Sequence, residues 1–125
     1  MLDLKNGCQV ATILGVVFLI AAALGFVPNP IVGAHGFFVT NHAHDMVHAL
    51  AGVVLILGGK MGFGKEVLLA FGVAYILVAM LGYMTMGKND MLFGLVRMNM
   101  ADHYLHILLG VVLILAGAVV RKGKA

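Results

Sequence analysis

Residues 41–59 read N-H-A-H-D-M-V-H-A-L-A-G-V-V-L-I-L-G-G, and residues 99–117 read N-M-A-D-H-Y-L-H-I-L-L-G-V-V-L-I-L-A-G. At an offset of 58 positions Asn41 falls on Asn99, His48 on His106 and Gly52 on Gly110, and the run V-V-L-I-L recurs unchanged. Each copy opens on asparagine and ionisable residues and continues as an apolar run. Asparagine suits a helix N-cap because its side chain accepts from the orphan N–H groups of the first turn, and Asp45 and Asp102 suit a first turn because they complement the helix dipole. Both stretches are therefore expected to be helices that enter an apolar layer from a polar end. Ionisable groups are costly there, so their presence in both copies points to function.

Working outward, the 125-residue chain is 62% apolar and only 10% charged, against about 25% charged in an ordinary soluble domain. Four apolar segments, roughly 9–27, 41–59, 66–86 and 100–120, each approach the ~20 residues that cross a hydrocarbon core. The second spans only if its histidine-rich start, 41–48, belongs to the helix. The first and third echo each other at an offset of 57, with Gly15, Phe18, Leu24, Gly25 and Phe26 falling on Gly72, Tyr75, Leu81, Gly82 and Tyr83. The expected fold class is all-α: a four-transmembrane-helix bundle made of two parallel-repeat helical hairpins. Residues 1–125 form a single integral membrane domain with repeat A at about 9–59 and repeat B at about 66–117.

Lys5, an apolar stretch and Ala21-Ala22-Ala23 resemble a secretory signal, but Val10–Val27 exceeds a usual signal core and is expected to be the first span. Pro28-Asn29-Pro30 ends that helix, and the apolar 31–40 segment is expected to lie on the bundle, with 87–98 as its counterpart. Lys5, Lys60, Lys65, Arg121, Lys122 and Lys124 gather at one end, against Lys88 and Arg97 at the other. The positive-inside rule then places both termini in the cytoplasm of a bacterial inner membrane. The net charge of +3 does not suggest nucleic acid, and the lone Cys8 excludes an intrachain disulfide and any cysteine metal motif.

Residues i and i+4 share a helix face. That face reads His44, His48, Gly52 in one copy and Asp102, His106, Gly110 in the other. If helices 2 and 4 are adjacent, His44, His48, Asp102 and His106 converge, with Asn41, Asp45, Asn99 and His103 as a surrounding layer. Three histidines and a carboxylate can hold a zinc-like divalent ion, the outer residues accepting from the free ring nitrogens. The same residues can instead act as a polar clasp between hairpins. Bis-histidine haem ligation by His48 and His106 is a further alternative, with Gly52 and Gly110 providing close packing or room for a cofactor. Met84, Met86, Met91, Met98 and Met100 could supply thioethers to copper, though packing is the simpler use. Proton or ion transport would need a polar path that helices 1 and 3 barely offer. There is no serine, no nucleophile beside a His–Asp pair and no phosphate loop, which argues against an enzyme.

F-F-V-T-N-H-A-H-D-M-V-H-A-L-A-G and L-F-G-L-V-R-M-N-M-A-D-H-Y-L-H-I-L-L-G resemble a family of small four-helix bacterial membrane proteins catalogued as domain of unknown function 4383. That family carries V-N-x-x-H-N-x-V-H-x-x-x-G in helix 2 and N-x-A-D-x-x-L-H-x-x-x-G in helix 4. The resemblance covers about residues 8–120 and falls on Asn41, His44, His48, Gly52, Asn99, Asp102, His106 and Gly110. Asp45 and His103 stand where the family often has asparagine, and Thr40 and Met98 where it has valine. The resemblance implies a fold and a topology, not a role. The expected function is a non-enzymatic scaffold, accessory or interaction subunit whose cluster clasps the bundle and holds a divalent metal. A haem- or copper-binding protein for electron transfer or metal handling is the alternative. Expected partners are the lipid bilayer and either further copies of the chain or a larger membrane complex.

Overall fold

The computed structural model describes residues 2–85 and 91–123, so Met86, Lys88 and Lys124 lie outside the described residues. Four helices dominate: α1 (Gly7–Leu24), α2 (His42–Lys60), α3 (Gly64–Thr85) and α4 (Met100–Val119). Their ends follow local chemistry. Asn6 caps α1, its Oδ1 accepting from Cys8 N at 2.9 Å. Asn41 and Asn99 cap α2 and α4 by accepting from His44 N at 2.9 Å and Asp102 N at 3.0 Å. α1 stops at Leu24, three residues short of the expected end. Pro28 biases the preceding residue out of the helical region, and Asn29 Nδ2 satisfies the freed carbonyls of Leu24 and Val27, each at 2.7 Å.

Two short ladders lie in the connections, a departure from the purely helical expectation. β1 (Val32–Gly33) pairs in parallel with β2 (Phe38–Val39), and β3 (Met91–Leu92) pairs antiparallel with β4 (Val96–Arg97). An apolar connection near the membrane must satisfy its own backbone groups, and local pairing does so. α1, α3 from Gly64 to Met84, and α4 are long and apolar enough to cross a membrane. α2 is as long, but His42, His44, Asp45 and His48 crowd its first two turns.

The helices pack as two hairpins, α1 on α2 and α3 on α4. Glycines set the approach. A Cβ on Gly52 would lie 2.8 Å from Gly15 O, and one on Gly110 would lie 2.9 Å from Gly72 O. Small residues at matching crossings let backbones touch, as membrane helices commonly do. The hairpins share a core of Ala11, Phe18, Ala51, Leu55, Leu68, Tyr75 and Leu113. Val17, Ile20, Leu50, Leu57, Leu77, Leu108 and Leu115 project outward as an apolar surface.

Both ends of the described chain meet at one end of the molecule. Gly7 N donates to Arg121 O at 2.9 Å and Arg121 N to Lys5 O at 2.7 Å. The Arg121 guanidinium pairs with Asp3. The Lys5 backbone N–H and that guanidinium hold the Asp3 carboxyl below the usual carboxylate range. Lys65 closes α4 by donating to Gly117 O at 2.6 Å and Val120 O at 2.8 Å, placing a cation on a helix C-terminus.

Candidate metal centre

His44 and His48 lie one turn apart on α2, and His106 comes from α4; all three are buried. Ring centroids are 4.6 Å apart for His44–His48, 5.6 Å for His44–His106 and 5.8 Å for His48–His106. One ring nitrogen from each lies within 4.8 Å of the other two. A tetrahedral ion with bonds of about 2.0–2.1 Å needs nitrogens about 3.4 Å apart, so the rings surround an ion after a modest inward shift.

Hydrogen bonding orients this trio. His44 Nδ1 lies 2.7 Å from Arg97 O. A carbonyl only accepts, so Nδ1 carries the proton and Nε2 keeps its lone pair. His44 Nε2, His48 Nε2, both ring nitrogens of His106 and the Tyr75 hydroxyl are buried without a hydrogen-bond partner. Each such orphan costs about 1–3 kcal/mol. One ring nitrogen from each of the three histidines can face a common cation, which would relieve such orphans. Tyr75 stands beside them, its ring 5.3 Å from His106 and 6.1 Å from His48.

The other expected residues go elsewhere. Asp102 is buried, but its Oδ2 accepts from Asn99 N at 2.9 Å, completing a capping box at the start of α4. Its carboxylate is not a member of the trio. Asp45 packs into the notch at Gly25 on α1, and His103 into the corresponding notch at Gly82 on α3. Asp45 follows His44 by one residue and His103 precedes His106 by three, and both pack within their own hairpin. Gly52 and Gly110 face α1 and α3, where Leu19 and Ile76 fill the space beside them. Met98 is buried against Leu92, while Met84 and Met100 are exposed.

The asparagines tie the hairpins together. Asn41 Nδ2 donates to Leu95 O at 3.0 Å, and Asn41 Oδ1 accepts from Arg97 N at 3.2 Å. In return Asn99 Nδ2 donates to Phe37 O at 2.9 Å. Each cap thus reaches into the connection of the other hairpin. These ties bring Arg97 O to His44, a partner that sequence reasoning missed because a backbone acceptor leaves no mark in the residue pattern.

Beside the histidines lies a cavity of about 330 Å³ bounded by α2, α3 and the connection residues Leu92, Phe93, Val96 and Met98, with His44, His48, His106 and Tyr75 in its wall and otherwise apolar lining. Tyr75 was legible as the partner of Phe18 in the alignment of repeats, where it adds a hydroxyl. The two rings meet edge to face at 5.6 Å.

Residues 9–119 match the model of the family described as domain of unknown function DUF4383, and the chain belongs to that family. Neither the comparison with curated proteins nor that with solved structures returns a match.

Proposed function

We propose that this DUF4383 member is a four-span membrane protein that holds a divalent, zinc-like ion on His44, His48 and His106. The observation that carries the reading is the buried trio, with one ring nitrogen of each within 4.8 Å of the others and unmatched nitrogens on all three rings. Arg97 O behind His44 supports it, since metal-binding histidines usually donate their other nitrogen to a carbonyl or carboxylate. The ion keeps an open fourth position, with the Tyr75 hydroxyl beside it. The clasp is a separate task, carried by Asn41 and Asn99. Two hairpins related by a pseudo-twofold along the membrane normal account for the repeated glycine crossings and the reciprocal asparagine ties. The basic residues at the end where the termini meet favour that end in the cytoplasm of an inner membrane, which puts the site toward the opposite surface. A small metal-holding subunit of a larger assembly, or of an oligomer, fits the size and the apolar exterior.

Elemental analysis of the purified, detergent-solubilised protein tests the reading. About one zinc or similar ion per chain is expected. Less than about a tenth of an ion per chain, after growth and purification with added zinc, overturns it.

A further inference from the structure

The trio contains only neutral ligands. Asp102 accepts at the helix cap, and the Asp45 carboxylate lies at Gly25 with both oxygens buried and without a hydrogen-bond partner, so neither belongs to the trio. A divalent ion held by His44, His48 and His106 therefore gains no charge from its ligands, and an incompletely compensated charge beside an apolar wall is costly. An anion at the open position removes that cost. A hydroxide would suffice for charge alone, but the space continues past the ion. Val47, Leu50 and Val54 on α2 and Phe71 and Val78 on α3 line it, with no lysine, arginine, aspartate or glutamate among its lining residues. Val47, Leu50 and Val54 are also exposed on the outer surface, so the cavity opens sideways between the helices. From His44 to Val54 the lining follows about 15 Å of α2. Its volume of about 330 Å³ lies within the range of small-molecule sites.

We propose that this cavity takes a single-chain amphiphile with an anionic oxygen headgroup, a long-chain carboxylate. Its head occupies the open position of the ion and accepts from the Tyr75 hydroxyl. Its alkyl chain lies along the slot between α2 and α3 and enters from the membrane side. The proposal rests on the metal reading above.

Cobalt(II)-loaded protein in digitonin, a bulky detergent, provides the test, because the visible spectrum of tetrahedral cobalt responds to a new ligand. Dodecanoate is expected to change the spectrum and to bind about 100-fold more tightly than acetate, the gain from removing roughly four methylenes from water. Val54→Trp, at the exposed side of the slot, is expected to abolish that advantage while leaving the cobalt spectrum and the acetate response intact. Val47→Trp repeats the test should the first variant not fold. Dodecyltrimethylammonium is expected to leave the spectrum unchanged. Dodecanoate no tighter than acetate, or an undiminished advantage in a folded tryptophan variant, overturns the amphiphile site and leaves the metal reading standing. Failure of wild-type protein to bind cobalt overturns the metal reading, and the anchor for the anion with it.

Discussion

At the level of single residues, the proposed site draws on positions where residues 41–59 and 99–117 differ. His48 and His106 occupy matching positions, so a strict twofold would provide two histidines and two phenylalanines at the centre. His44 in place of Asp102, and Tyr75 in place of Phe18, add a third imidazole and a hydroxyl to one side. His44→Gln, His48→Gln and His106→Gln are each expected to weaken metal binding by more than about 100-fold, beyond the range of losses from removing an outer partner. Asp102→Asn is expected to keep the metal, because its carboxylate serves the α4 cap; the change costs about 1 kcal/mol in thermal stability. Metal content of the four variants separates the two roles. Imidazole must be neutral to coordinate, so protons compete with the ion. Occupancy is therefore expected to be complete on the alkaline side and to fall as the pH is lowered, which a chelator titration at stepped pH checks.

At the level of helices, glycine and asparagine act at different joints. Gly52 and Gly110 admit the backbones of α1 and α3, and any side chain there meets a carbonyl oxygen. Gly110→Val is expected to destabilise the α3–α4 hairpin by about 3 kcal/mol, at the upper end of overpacking costs, read as a lower melting temperature in detergent. The asparagine ties join one hairpin to the other. Asn41→Ala and Asn99→Ala each remove a cap worth about 1 kcal/mol and a bond to the opposite connection. Asn41→Ala is expected also to loosen Arg97, and so to weaken metal binding by about tenfold, whereas Asn99→Ala leaves the trio's own contacts intact. A cobalt titration of the two variants distinguishes them.

At the level of the whole molecule, the packing and the proposed ion use different groups. The shared core of Phe18, Leu55, Leu68 and Leu113, the glycine crossings and the asparagine ties do not involve the unmatched histidine nitrogens. Chelation is therefore expected to lower the melting temperature by an amount equivalent to about 2.7 kcal/mol when free metal had stood at about 100 times its dissociation constant. Complete unfolding on chelation would mean that the ion, not the packing, holds the hairpins. Topology belongs to this scale too. A reporter fused to the C-terminus is expected to report a cytoplasmic location, in line with the basic residues at that end, and a periplasmic signal would reverse the orientation.

Helix identity was legible in the sequence because burial in an apolar layer demands long hydrophobic runs, and N-caps and prolines mark their ends through local bonds. Membership of the family and the candidate histidines were legible for the same reason: spacing of four residues fixes a face whatever the neighbours are. The sequence could not tell which polar residues share a centre. Asp102 and His44 occupy equivalent positions, yet one turns back to its own cap and the other meets Arg97 O across the hairpins. That choice depends on contacts between residues more than fifty positions apart. The cavity between α2 and α3 was equally hidden, because empty space is a property of how faces meet, and no single helix contains it.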